Sequence, residues 1–110
     1  MSYSKNFKID PENIKELIIP MGGCIASDRI LVDGCKVGFM YREEPDFEGD
    51  SGWRFMSGDE DDEYLDDPNN SGIYDVNVIA NYDEAIIDFL RAPVGIDLER
   101  TEEGSFRQIN

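Results

Sequence analysis

Carboxylates dominate the chemistry open to this chain. Of its 110 residues, 25 are Asp or Glu and 10 are Lys or Arg, for a formal charge of −15. Twelve of the acidic residues and one Arg lie between residues 43 and 67, a local net charge of −11. Paired carboxylates can act as general acid and base, as in glycosidases, provided burial or a close like charge splits their pKa values. Here they fall in segments that read as solvated loops, so an enzyme working with carboxylates alone ranks last among the readings. Asp59, Asp61, Glu63, Asp66, Asp67 and Asn69 offer the oxygens that calcium prefers. The EF-hand pattern fails, because Tyr64 stands where the loop needs Gly. A weak divalent-cation site in 59–69 is kept as an alternative; no resident metal or cofactor is expected.

The chain has no His. That removes the usual general base near neutral pH and every Ser-His-Asp or Cys-His arrangement. Two cysteines without His cannot close a zinc site within one chain. Met21-Gly22-Gly23-Cys24 lacks the Lys and the spacing of a phosphate loop. Cys24 and Cys35 read as small core residues with free thiols.

A field this negative repels nucleic acid and anionic membranes and favours basic partners. The acidic region 43–67, flanked by Trp53, Tyr64 and Tyr74, therefore reads either as a solvated face or as a docking surface for a basic protein. Trp53 and Tyr64 are each open to two roles, core or interface. No segment approaches the ~20 apolar residues of a membrane span, and Met1–Phe7 lack the apolar core of a signal peptide. A cytoplasmic, single-domain chain (1–110, with 1–8 loose) is expected.

The elements that must position these groups are short. Asp10-Pro11-Glu12 reads as a helix start, with Ile14, Leu17 and Ile18 on one face. Cys24–Val32 and Cys35–Arg42 read as two strands joined by an Asp33-Gly34 hairpin turn. In the second strand Cys35, Val37, Phe39 and Tyr41 form the face expected to be buried. Gly52–Ser57 is a strand with Trp53 and Phe55 on one side and Arg54 and Met56 on the other. Pro68–Gly72 is a turn cluster. Asp75 caps a short helix carrying Val76, Val78 and Ile79; Asp83 caps another carrying Ile86, Ile87 and Leu90. Val94–Arg100 is a strand, and Phe106–Ile109 returns as an edge strand. About five strands in adjacent hairpins, with two or three helices, predict an α+β fold with a mainly antiparallel sheet.

Several strings carry a resemblance: Cys24-Ile-Ala-Ser-Asp-Arg-Ile, Lys36-Val-Gly-Phe-Met-Tyr-Arg-Glu-Glu-Pro, Asp50-Ser-Gly-Trp-Arg-Phe-Met-Ser-Gly-Asp-Glu-Asp, Ile73-Tyr-Asp-Val-Asn-Val-Ile-Ala-Asn-Tyr and Ala92-Pro-Val-Gly. Together they resemble a former domain of unknown function grouped with immunity proteins of bacterial polymorphic toxin systems, the thirty-third family of that series. The resemblance covers about residues 20–110. It implies a cytoplasmic, non-enzymatic protein that binds and blocks a cognate toxin domain. Its signature is Gly52–Asp61 with Arg42-Glu43-Glu44, a set open to a structural or a partner-facing role. The candidate partner-binding residues are Glu43, Glu44, Trp53, Arg54, Asp59, Asp61, Asp62, Glu63 and Tyr64, with a basic toxin domain as the expected partner. A solitary regulatory binding domain is the alternative.

Overall fold

The computed structural model describes residues 5–110. A six-stranded mixed sheet organises the chain: β1 (Gly23–Ser27), β2 (Phe39–Arg42), β3 (Asp50–Met56), β4 (Ser71–Asp75), β5 (Asp97–Arg100) and β6 (Phe106–Gln108), in the order β4-β1-β3-β2-β5-β6. Every neighbouring pair is antiparallel except β1 with β3. The α+β class is as expected, and the sheet is mixed rather than purely antiparallel.

Register explains which side chains are buried. Ala26, Phe55, Met40 and Leu98 stand side by side across four strands and form one row. All four are at most 2% exposed. Against this row pack α1 (Asp28–Leu31) through Ile30 and Leu31, α3 (Val76–Tyr82) through Val76 and Ile79, and a 3-10 segment, Glu84–Phe89, through Ile86. Trp53 and Phe55 stack at 5.9 Å between ring centroids within that core. One residue along, Ile73, Ile25, Arg54 and Tyr41 form a parallel row on the other face. Across that second face lies α2 (Asp62–Asp66).

Local chemistry sets the helix starts. Ser27, Asp61, Asp75 and Asp83 each accept a hydrogen bond from a backbone N–H two or three residues on, which satisfies one of the unpaired donors of a first turn. The caps predicted at Asp75 and Asp83 are present, although the second element is 3-10 rather than α.

Several expectations are corrected. Asp33-Gly34 does not turn a hairpin. Ser27 starts a helix, and Gly34, at φ 79°, closes it; the Gly34 N–H bonds the Ile30 carbonyl and the Cys35 N–H the Arg29 carbonyl. An Asp-Gly pair serves a helix C-terminus as well as a turn, because Gly accepts left-handed backbone in both. The first strand therefore stops at Ser27, and the second starts at Phe39. Met40, not Phe39 or Tyr41, points into the core, because Gly38 interrupts the alternation begun at Val37. A side chain on Gly38 would meet the Ser57 carbonyl.

The predicted N-terminal helix is only a 3-10 turn, Pro11–Asn13. Residues 14–18 form no helix, and two side chains of α3 hold them instead. Asn77 Oδ1 accepts from the Leu17 N–H at 2.8 Å, and its Nδ2 donates to the Lys15 carbonyl at 2.8 Å. Asn81 Oδ1 accepts from the Lys15 N–H at 2.9 Å. The turn cluster 68–72 splits into a 3-10 turn, Pro68–Asn70, and the start of β4. Residues 1–4 of the segment expected to be loose lie outside the described residues. Of the rest, Lys5 pairs with Asp28 at 2.8 Å, and Phe7 packs edge-on against Tyr74.

Candidate functional site

β3 builds the site, and a bulge aims its side chains. Gly23 of β1 pairs with Asp50, yet Ile25 pairs with Arg54, so β3 carries extra residues at Ser51-Gly52. Gly52 takes φ 89° there, and a Cβ would collide with the Glu43 carbonyl oxygen. Only Gly fits. Beside it, the Ser51 hydroxyl donates to the Gly23 carbonyl at 2.6 Å and ties the bulge to β1.

Past the bulge, alternation sends Trp53 inward and Arg54 to the second face. Trp53 is fully buried, and its indole N–H donates to the Leu90 carbonyl at 3.1 Å. As a partner-facing residue it is corrected: the core role is the one it fills. Arg54 is 3% exposed. Its guanidinium donates twice to the Asp50 carboxylate, at 2.7 and 3.0 Å, and once from Nε to Glu43 Oε2 at 2.6 Å. Asp50 also accepts from the N–H groups of Asp46 and Gly52, both at 2.8 Å. The Arg54 hydrogen bonds, aided by those two backbone donors, hold the Asp50 carboxyl well below the usual range. Arg54, also expected among the partner-binding residues, is corrected likewise: it lies below the surface and positions Glu43.

Arg42, next to the acidic pair, ties the sheet to the helix layer. Its Nε donates to the Ser51 carbonyl and its Nη1 to the Ala92 carbonyl, both at 2.9 Å. Much of the signature 42–44 and 52–61 is therefore structural. Ser51–Phe55 lie in the interior and Glu60 is half-buried, while Glu43, Glu44, Asp59, Asp61, Asp62 and Glu63 stand outside.

The second acidic stretch folds back over the open sheet face. The Glu60 carboxylate accepts from the Ser57 and Gly58 N–H groups, each at 2.9 Å. Burial raises its pKa, but hydrogen bonds from the Ser27 hydroxyl and these N–H groups outweigh that and hold it below the ordinary value. Asp61 caps α2 through the Tyr64 N–H at 2.8 Å. Asp67 caps the next turn through the Asn69 N–H at 2.9 Å. Asp59 accepts from the Ser57 hydroxyl and lies 3.5 Å from Arg29. These carboxylates do local structural work. Among the described residues no group of three or more His, Cys, Asp or Glu is arranged to hold a metal ion.

Between α2 and the sheet lies a slot of about 160 Å³. Ile25, Tyr41, Met56 and Leu65 give it apolar walls; Tyr64, Glu43 and Asp67 also line it. Burial, and for Tyr41 the nearby Glu43 charge, raise the pKa of both phenols. Arg29 stands over the Tyr64 ring at 4.6 Å. The slot thus joins Glu43 from one acidic stretch to Tyr64 from the other. Glu44, Asp59, Asp61, Asp62 and Glu63 are exposed and do not line it. Sequence reasoning missed Ile25, Tyr41, Met56 and Leu65, and named Asp67 only for the alternative cation site. A signal was present in Leu65, an isolated apolar residue within an acidic run.

Apolar walls with anionic edges suit the holding of a side chain rather than the activation of a bond. No helix among the described residues is long and apolar enough to cross a membrane. No curated protein and no solved structure gives a significant match to the chain. A family model, described as the Immunity protein Imm33 domain, matches residues 24–110. That span takes in every strand (but for Gly23 at the start of β1), the Asp50–Arg54–Glu43 network and the slot, so the chain belongs to the Imm33 family of immunity proteins.

Proposed function

We propose that this chain binds a cognate bacterial toxin domain and neutralises it by covering the toxin's active site with the acidic face around α2. One observation supports the reading beyond family membership: the acidic stretches 43–49 and 57–67, separated in sequence by β3, meet at a single slot through Glu43 of the first and Tyr64, Leu65 and Asp67 of the second. Exposed Glu43 and Asp67 line that slot, and buried Arg54 fixes Glu43. Such a face attracts a basic partner and speeds the encounter. Nuclease toxins, which bind polyanions, are basic and fit it.

An inhibitor of this kind needs no catalytic group of its own. It acts in the cytoplasm of the cell that makes the toxin, where the thiols of Cys24 and Cys35, both free in the structure, stay reduced. The partner-facing set is Glu43, Glu44, Asp59, Asp61, Asp62, Glu63 and Tyr64.

Co-expression with a candidate toxin domain, taken from any toxin gene that neighbours its own, is the test. Cells should grow when both are made and stop when the toxin is made alone. Arrest despite abundant folded protein would contradict the reading and favour a solitary regulatory domain.

A further inference from the structure

The slot has walls and charge that select one kind of occupant. Its apolar side chains (Ile25, Met56 and Leu65) match an aliphatic stem, and Tyr41 and Tyr64 offer aromatic rings. Glu43 engages Arg54 through Oε2, and Asp67 caps its turn through Oδ1. Among the described residues, the other oxygen of each carboxylate accepts no hydrogen bond and is open to a further donor. Arg54 adds one positive charge nearby, but Asp50, Glu43 and Asp67 leave the group at −2.

We propose, resting on the toxin-binding reading above, that this slot seats an arginine side chain of the partner. Its guanidinium meets Glu43 and Asp67, and its stem lies along Ile25, Met56 and Leu65. Arginine fits better than lysine for two reasons. A planar guanidinium stacks on aromatic rings and bonds two carboxylates at once, and it sheds water more readily than an ammonium. The chain already builds this arrangement beside the slot: the Arg29 guanidinium lies over Tyr64 with Asp33 at 3.3 Å and Asp59 at 3.5 Å. An arginine buried in a small pocket with a charged rim is also the usual make-up of an interface anchor.

The test uses the full chain, 15N-labelled, titrated with N-acetyl-L-arginine amide and separately with its neutral isostere N-acetyl-L-citrulline amide. Shifts should cluster at Ile25, Tyr41, Met56 and Leu65 with the arginine probe, and be several-fold smaller with citrulline. The double variant Glu43→Gln, Asp67→Asn should lower the arginine response to the citrulline level. Both replacements keep an acceptor for Arg54 and for the cap, so the fold survives, as an unchanged spectrum elsewhere would verify. Shifts spread evenly over the acidic surface, or equal for the two probes, would overturn the proposal. If the chain rescues cells while the slot ignores the arginine probe, the seat alone is wrong. If the slot responds but rescue fails, the immunity reading alone is wrong.

Discussion

Arg54 and Asp50 face each other four residues apart on the same strand, joined by two hydrogen bonds of 2.7 and 3.0 Å, with side chains 4% and 0% exposed. Regular strand geometry would place residues four apart too far for this contact. The bulge at Ser51-Gly52 brings them together. A buried ion pair contributes little net stability, but removing one partner leaves an uncompensated charge. Here the pair's value lies in geometry: it anchors the arginine that in turn holds Glu43 beside the slot.

Asp50→Asn should therefore destabilise the fold by roughly 2–4 kcal/mol, measured by urea unfolding at neutral pH. The same residue sets an acid response. Its folded pKa lies well below the unfolded value of about 3.9. Its contribution is then fully present above that value and is lost as pH falls through and below it. The wild type should lose stability from about pH 4 downward, and the variant should lose less over the same interval. Parallel acid curves would show that Asp50 does not carry this dependence.

Asn77→Ala should release the strap at residues 14–18 without unfolding the sheet. The Leu17 N–H bonds the Asn77 side chain, and the Lys15 carbonyl accepts from it. Each such bond is worth about 0.5–1.5 kcal/mol net, so Leu17 amide exchange should quicken by about tenfold. Exchange in β1 and β3 should stay slow. Unchanged Leu17 exchange would mean that packing of Ile18, not the side-chain clamp, holds the strap.

The two thiols should differ sharply in reactivity. Cys24 is fully buried, and burial pushes its pKa well up; Cys35 is half-buried. With a thiol reagent at mild pH, the folded protein should show one slow but measurable reaction, assigned to Cys35 by its loss in Cys35→Ser. Cys24 should react only on unfolding. Equal reactivity of both would place Cys24 nearer the surface than its contacts allow.

Features with one local cause were legible in the sequence. Asp75 and Asp83 precede apolar periodic stretches and cap them. The split of Trp53 and Phe55 from Arg54 and Met56 follows from strand alternation alone. Features set by distant partners were not. Asp33-Gly34 suits a hairpin and a helix end alike, and the choice falls to the Ser27 cap and the core contacts of Ile30 and Leu31. Ile14, Leu17 and Ile18 show helical spacing, yet Asn77 and Asn81, some sixty residues away, capture the backbone in a non-helical form. The parallel contact of β1 with β3, which separates the two hairpin-like halves, has no local signal. Of the candidate site, the acidic residues were visible because charge runs are surface features. Tyr41 and Leu65 were not, because their role depends on α2 folding back over the sheet.

The most direct test of the proposed acidic-face docking is calorimetric titration of the chain with a candidate toxin domain, one whose toxicity the chain suppresses on co-expression, at low and high salt. It would be repeated with Asp59, Asp61, Asp62 and Glu63 changed to Asn or Gln. Asn at position 61 still caps α2, so the loss is of charge, not of fold. Tight binding that weakens with salt, together with weaker and less salt-sensitive binding by the variant, is the predicted result. Equal affinity of variant and wild type at every salt concentration would contradict it, and would place the interface elsewhere on the molecule.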